Sequence, residues 1–463
     1  MNKLVIAAVV VVAIVLLAIP RVVASITEAR VHERVAAIDA NGTVAARVTA
    51  FERGWFRSTA KIELSLAPDA AQLGNLPPMA MASIPIAVEF AHGPVAMLDG
   101  TYFGWSQMVA HLDPEAPGIT ELTQTLGVPY LFEFRGRTGF AGGLSFDADA
   151  PPFELPIDEA LLTFSGGTLD GTFDGRQLEA RTHVGSLDFT SPTGTFAISN
   201  LRASADNELR SQYVMPGEAT FSIERIAVSD AFQGTTPVFE TTNLRVVSAT
   251  TLDSTGALLE MRVAYGLDSL RVAETEVSAA TLEMVMRNLD VAALEAYSAA
   301  ISDAAATSDP ADVLAVLGPQ LDRALRAGPS LTLDPIRFRL DAEPFEGRVE
   351  LVARPDRLPP AGALDLDNPL LVIGLLDTDA EVRLSKTLAQ KLAVLVAQMQ
   401  LASDGSVPAD ELEYLAEAQS GLIVTMLVGQ GVLLEDGDDY RSSLVFSDGA
   451  LTLNGNALPF GLP

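Results

Sequence analysis

Apolar and polar residues alternate with a period of two through most of residues 60–288, and that pattern restricts the chain to antiparallel sheet. In Ala60-Lys61-Ile62-Glu63-Leu64-Ser65-Leu66 every second residue is apolar, and Ile84, Ile86, Val88 and Phe90 repeat the pattern. A strand with one buried face has this signature, because successive side chains point to opposite sides. Further runs at 160–164, 178–189, 196–203, 219–229, 243–250, 257–265, 269–277 and 280–288 are separated by Gly, Asp, Asn or Ser. Parallel pairing would need crossover helices of about 10–15 residues between strands, and the sequence has no room for them here.

From Asp290 the period lengthens. An Ala-rich helical stretch with Leu294 and Tyr297 to Ile301 leads, past Ser308-Asp309-Pro310, to Val313, Leu314, Leu317, Leu321 and Leu325 at helical spacing. Strands return at 331–340 and 347–354. Two amphipathic stripes follow: Leu388, Leu392, Leu395, Val396 and Met399, then Leu412, Leu415, Leu422, Ile423 and Met426. Each stripe is expected to pack against a sheet or against the other. The end reads as a hairpin, 440–446 and 450–453, turning at Ser447-Asp448-Gly449. The expected fold is therefore α+β, mostly long antiparallel β-sheet, curved, with the helices of 290–326 and 385–430 packed on it.

Before the first strand lies a different kind of segment. Leu4 to Ile19 holds no polar residue, and the apolar character resumes from Val22 to Ile26 after Pro20 and Arg21. As a helix these positions reach roughly 34 Å, against a hydrocarbon core of about 30 Å, so they predict one N-terminal transmembrane helix. A cleaved signal peptide, with Lys3 as the charged region and Ala24 at the cleavage point, fits the same stretch, although the apolar run is long for that role. Arg21, Arg30 and Arg34 follow the segment and only Lys3 precedes it, so charge alone does not favour a cytoplasmic N-terminus. The expected organisation is an anchor over 1–26, a β-rich region over 27–288 and an α+β region over 289–463.

Composition removes several chemistries. The chain has no cysteine, which excludes disulfides, thiolate metal sites and a cysteine nucleophile. Its 60 acidic against 30 basic residues give a formal charge of −30, the reverse of what a nucleic-acid backbone attracts, so no nucleic-acid partner is expected. Such a surface suits a salty exterior that screens its self-repulsion. His32, His92, His111 and His183 have no helical metal-site spacing, and neither a nucleophile elbow nor a phosphate-cradling loop occurs. No cofactor or metal is expected. The carboxylates at 365–368, 377–379 and 435–439 lack the spacing of a calcium loop and read as solvated turns.

Three islands carry a resemblance. Phe51-Glu52-Arg53-Gly54-Trp55-Phe56-Arg57-Ser58 resembles an aromatic-x-Arg-Gly-Trp-Phe-x-Ser signature, Ala91-His92-Gly93-Pro94-Val95 a His-Gly-Pro element, and Gly437 to Asn456 a C-terminal ending, all of the YdgA-like proteins of Gram-negative bacteria. Phe51 departs from that family's usual Tyr. The resemblance implies a protein held in the inner membrane with a large β-rich periplasmic part, and implies no established activity. Read from the residues, Gly54 permits a bend, Trp55 and Phe56 must diverge or wedge a turn, and His92 marks a strand end. Arg53 beside exposed aromatics would also suit a lipid headgroup interface.

The function expected is an envelope protein that handles lipid or another amphiphile along a β-sheet groove, as fold-level analogy with AsmA-like envelope proteins suggests. A scaffold binding an envelope protein is the alternative, and a hydrolase ranks last. The expected binding residues are Arg53, Trp55, Phe56, His92, Val88 and Phe90.

Overall fold

The computed structural model describes residues 3–40, 44–66, 83–211, 214–230, 237–273, 275–304, 320–360, 374–404 and 409–458. The chain divides into two compact units, residues 1–219 with 301–309 and residues 220–300 with 310–463. Both are built on antiparallel sheet.

In the first unit a helix, α1 (Lys3–Ala40), precedes β1 (Val44–Arg53), β2 (Arg57–Leu66) and β3 (Ile84–His92). A small hairpin of β4 (Val95–Leu98) and β5 (Gly100–Phe103) leads to β6 (Ser106–Leu112), α2 (Ile119–Leu126), β7 (Glu133–Thr138) and β8 (Leu144–Ala150). Then come β9 (Phe153–Ile157), β10 (Ala160–Phe164), β11 (Gly167–Phe173), β12 (Gln177–Ser191) and β13 (Gly194–Glu208). Hydrogen-bonded neighbours run β1, β2, β3, β6, β7, β8, β11, β12, β13, and the β9–β10 hairpin joins the far half of β12.

The chain continues through β14 (Gly217–Asp230). The second unit then holds β15 (Phe239–Leu252), β16 (Leu258–Val272), β17 (Thr275–Asp290) and α3 (Val291–Ala304). It goes on through α4 (residues 320–326), β18 (Ser330–Leu340), β19 (Glu343–Ala353) and β20 (Leu376–Ser385). The helical pair α5 (Lys386–Asp404) and α6 (Ala409–Gly429) precedes β21 (Leu434–Asp436), β22 (Asp439–Ser447), β23 (Ala450–Leu453) and β24 (Asn456–Leu458). Neighbouring strands again follow in chain order from β15 to β20, then β22, β23 and β24. The antiparallel α+β expectation holds, but the turn expected between 265 and 269 is absent. Gly266 pairs with Arg245 on one side and Thr281 on the other, so the ladder carries β16 straight through. The chain reverses instead after Ala273, at a φ of 52°.

Two helix-covered cores are dense. Along α1 the residues Pro20, Val23, Ala24 and Val35 are buried at helical spacing, and Val31 packs with Phe51, Ile62, Ile86, Met108 and Ala110 around Ala60, Val88 and Phe90. In the second unit Leu384, Leu388, Ala389, Ala393, Val424 and Tyr440 form the centre beneath α5 and α6. The stripes expected to be buried there are only partly so. Leu388 is fully covered, but Leu395, Val396, Met399, Leu422 and Met426 face outward, because alanines at 389, 393, 397 and 416 fill the inner face. Small residues let helices approach closely and leave the larger ones no place inside. The side chain of Leu412 lies outside the described residues.

Elsewhere, among the described residues, a sheet face is apolar but less densely covered. Leu155, Leu162, Phe189 and Phe196 are successive register partners across β9, β10, β12 and β13, and Phe153, Phe164, Leu187 and Ile198 form the adjacent row. All eight share one face, and each is half-buried. The second unit carries a similar row, Met261, Met286, Leu331 and Leu351 across β16 to β19, but there Leu259 and Val263 of the same face are buried, and Leu325 of α4 packs with Ala353. The opposite face there carries ion pairs such as Arg262 with Glu283 and Arg337 with Glu346.

Among the described residues no helix is long and apolar enough to cross a membrane. The side chains of Leu4 to Ala18, which supply nearly all of the anchor expectation, lie outside the described residues.

Candidate functional site

At one end of the first sheet two of the sequence islands meet. The bend between β1 and β2 holds Gly54, Trp55 and Phe56, and a Cβ on Gly54 would lie 2.0 Å from the Arg57 carbonyl oxygen. Only glycine fits. The amide of His92, the last residue of β3, donates to the Phe56 carbonyl at 2.8 Å, and that of Gly93 donates to Trp105 at 2.7 Å. A side chain at Gly93 would strike the Gly104 carbonyl at 1.7 Å, which explains the glycine of the His-Gly-Pro island. Trp105 in turn donates its amide to Thr138 at 2.8 Å, so four strand ends are laced together by backbone bonds.

Each face of this end has its own side-chain row. Arg57, Ala91, Gln107 and Arg137 are register partners across β2, β3, β6 and β7, and residues paired in this way share a face. The row grips the β4–β5 hairpin. Arg57 Nη2 donates to the Met97 carbonyl at 2.7 Å, the buried Gln107 amide bonds both Leu98 N–H (3.0 Å) and the Asp99 carbonyl (3.1 Å), and Arg137 meets the Asp99 carboxylate at 2.9 Å. On the other face, Arg53 pairs with Glu28 of α1 at 3.0 Å. Beside it Ser58 Oγ lies 2.8 Å from His92 Nε2.

That Ser–His distance would suit a nucleophile and its base, but the surroundings do not. Ser58 is 2% exposed and His92 1%, so no substrate reaches them as they stand. Among the described residues no group orients the ring from behind, since His92 Nδ1 has no hydrogen-bond partner there. Burial lowers the His92 pKa to about 4 and keeps the imidazole neutral at pH 7. The pair is a buried polar clasp between β2 and β3, and an unpaired ring nitrogen in such a place costs about 1–3 kcal/mol.

Outside the clasp lies a cluster of apolar side chains. Trp55 (50% exposed), Phe56 (51%), Met97 (58%), Phe103 (69%), Trp105 (38%) and Phe140 (51%) all emerge from the laced strand ends and the hairpin beside them. Trp105 and Phe140 meet edge to face at 5.5 Å, and the indole N–H donates to the Phe140 carbonyl at 3.0 Å. The structure thus gathers Arg53, Trp55, Phe56 and His92 at one place. It sets Val88 and Phe90 apart, at 5% and 6% exposure beneath α1, so they belong to the core and line no open groove. Gln107, Phe103, Trp105 and Phe140 were not singled out from the sequence. Phe103-Gly104-Trp105, a second glycine beside tryptophan, was the available signal.

Among the described residues no group of His, Asp and Glu could hold a metal ion. Asp377 pairs with Arg354 and Arg357, and Asp436 and Asp439 with Arg383, while the carboxylates at 365–368 lie outside the described residues.

No curated protein and no solved structure matches the chain significantly. Over residues 1–460 it matches the family described as bacterial protein of unknown function (DUF945), and the chain belongs to that family.

Proposed function

We propose that this is a YdgA-like envelope protein, anchored in the inner membrane by its first 26 residues with the remainder in the periplasm, that handles lipid or another amphiphile on the apolar faces of its sheets. The observation that carries this reading is the double row of Phe153, Leu155, Leu162, Phe164, Leu187, Phe189, Phe196 and Ile198. An antiparallel sheet commonly buries one face and wets the other, and here, among the described residues, the apolar face has no fully buried cluster like that beneath α1. An acyl chain lying along those rows would finish the burial that the protein's own helices leave incomplete. Native mass spectrometry and solvent extraction of the detergent-purified chain test it. Bound phospholipid, lost in Phe189→Asp while the fold persists, supports the reading, whereas a lipid-free preparation refutes it. A phosphatase fused after Pro463 should be active and a fluorescent protein at the same place dark. The reverse pattern would reject the periplasmic location.

A partner-binding role is the second reading, favoured by the outward Leu395, Met399, Leu422 and Met426 of the α5–α6 pair. Photo-crosslinkers at Met399 and Leu422 should then trap the same envelope protein in intact membranes.

A further inference from the structure

The direction of α1 relative to β1 is set by two contacts. Glu28 meets Arg53 and His32 meets Phe51, so helix numbers rise as strand numbers fall and the two elements are antiparallel. Arg53 is the last residue of β1, yet 25 residues of α1 precede Glu28 (28 − 3). Pro20, Val23 and Ala24 are still buried, so the part beyond that cover is residues 3–19, about 25 Å of helix at about 1.5 Å per residue, running in the direction in which the sheet is about to end. That part carries the apolar run Leu4 to Ile19, and the aromatic cluster lies at the strand ends that α1 passes.

The cluster also differs in charge from the rest of the chain. Segments 53–62, 92–112 and 134–146, which supply it, contain one carboxylate, Asp99, in a chain with 60 Asp and Glu, against Arg53, Arg57, Lys61, Arg135 and Arg137. Asp99 is held by Arg135 and Arg137, and Arg53 pairs with Glu28. Both tryptophans of the chain, Trp55 and Trp105, are here. Tryptophan and arginine favour the headgroup layer, where a ring is half-buried and a guanidinium meets phosphate, while carboxylates are repelled there.

We infer that Trp55, Phe56, Met97, Phe103, Trp105 and Phe140 form a collar that rests in the headgroup layer of the bilayer around the emerging helix and fixes the first sheet upright on the membrane. This rests on the proposed anchoring and adds to it a second, side-chain contact with lipid. Gln107 and the Arg57–Met97 bond hold the hairpin that carries Met97 and Phe103, which keeps the collar a rigid surface.

Because the only two tryptophans lie in the collar, fluorescence of the full chain reads the collar alone. The chain is reconstituted into phosphatidylcholine and phosphatidylglycerol vesicles with or without bromine high on the acyl chains, and vesicle flotation of the same sample reads the anchor. Floating protein whose emission falls by about half on bromination supports the collar, as interfacial indoles require. Trp55→Phe and Trp105→Phe should each leave a quenchable residue. The double variant Phe103→Glu with Phe140→Glu should lose most of the quenching and still float with an unchanged melting transition. Floating protein with unquenched tryptophans, or a double variant quenched as before, overturns the collar and leaves the anchor standing, with a protein partner then the occupant of this surface. Protein that does not float overturns the anchor and the collar with it.

Discussion

The sheet beneath α1 and the sheet of β9 to β13 are written in the same alternating code, yet one is a fully buried core and the other, among the described residues, a half-buried face. Ala60, Val88 and Phe90 are 2%, 5% and 6% exposed under the helix. Leu162, Phe164, Phe189 and Phe196 point to one side just as regularly and none of them is buried to that degree. Alternation therefore specifies that a strand has an apolar side, and a neighbouring element decides whether that side is dry. The same contrast recurs on α5 and α6, where the alanine side is buried and the Leu and Met side is not.

Truncation should separate the two regions most sharply. Phe90→Ala leaves a cavity beneath α1 and is expected to cost about 3–5 kcal/mol, read as a shifted denaturation midpoint of the detergent-solubilised chain. A cost below 1–2 kcal/mol, roughly that expected for a half-exposed ring, would mean that α1 does not cover this sheet in solution.

The clasp should make the covered end sensitive to acid. The His92 pKa is depressed from 6.5 to about 4, so its neutral form contributes stability that is fully present above pH 6.5 and is lost as pH falls through 4. Up to about 3 kcal/mol is expected to disappear between pH 7 and pH 4. In His92→Gln that part of the pH dependence should vanish, and an unchanged profile would show that the ring is not buried.

On the open side, Phe189→Ala should cost only about 1–2 kcal/mol, because the ring already keeps part of its surface exposed. A loss as large as that of Phe90→Ala would show that something covers the rows and would erase the distinction between the two sheets. The smallest effect belongs to the charged face of the second unit. Arg262→Gln removes an exposed partner of Glu283 and should change stability by less than about 0.5 kcal/mol, and less still in high salt.

The sequence by itself determined what depends on neighbours along the chain. The period of two gave antiparallel strands, helical spacing placed α5 and α6, and Ser447-Asp448-Gly449 forms the expected hairpin turn, with φ of 52° at Asp448 and 74° at Gly449. Such features follow from backbone sterics within a few residues. What only the tertiary structure decided depends on register across long separations. Ser58 and His92 are 34 residues apart and meet because β2 and β3 pair in one register, which also sends Val88 and Phe90 under α1. The turn expected after Tyr265 failed for a related reason, since hydrogen bonds to strands on both sides outweigh the local preference of Gly266-Leu267-Asp268 for a bend. Burial is a property of what lies opposite a face, and no short stretch of sequence contains its own cover.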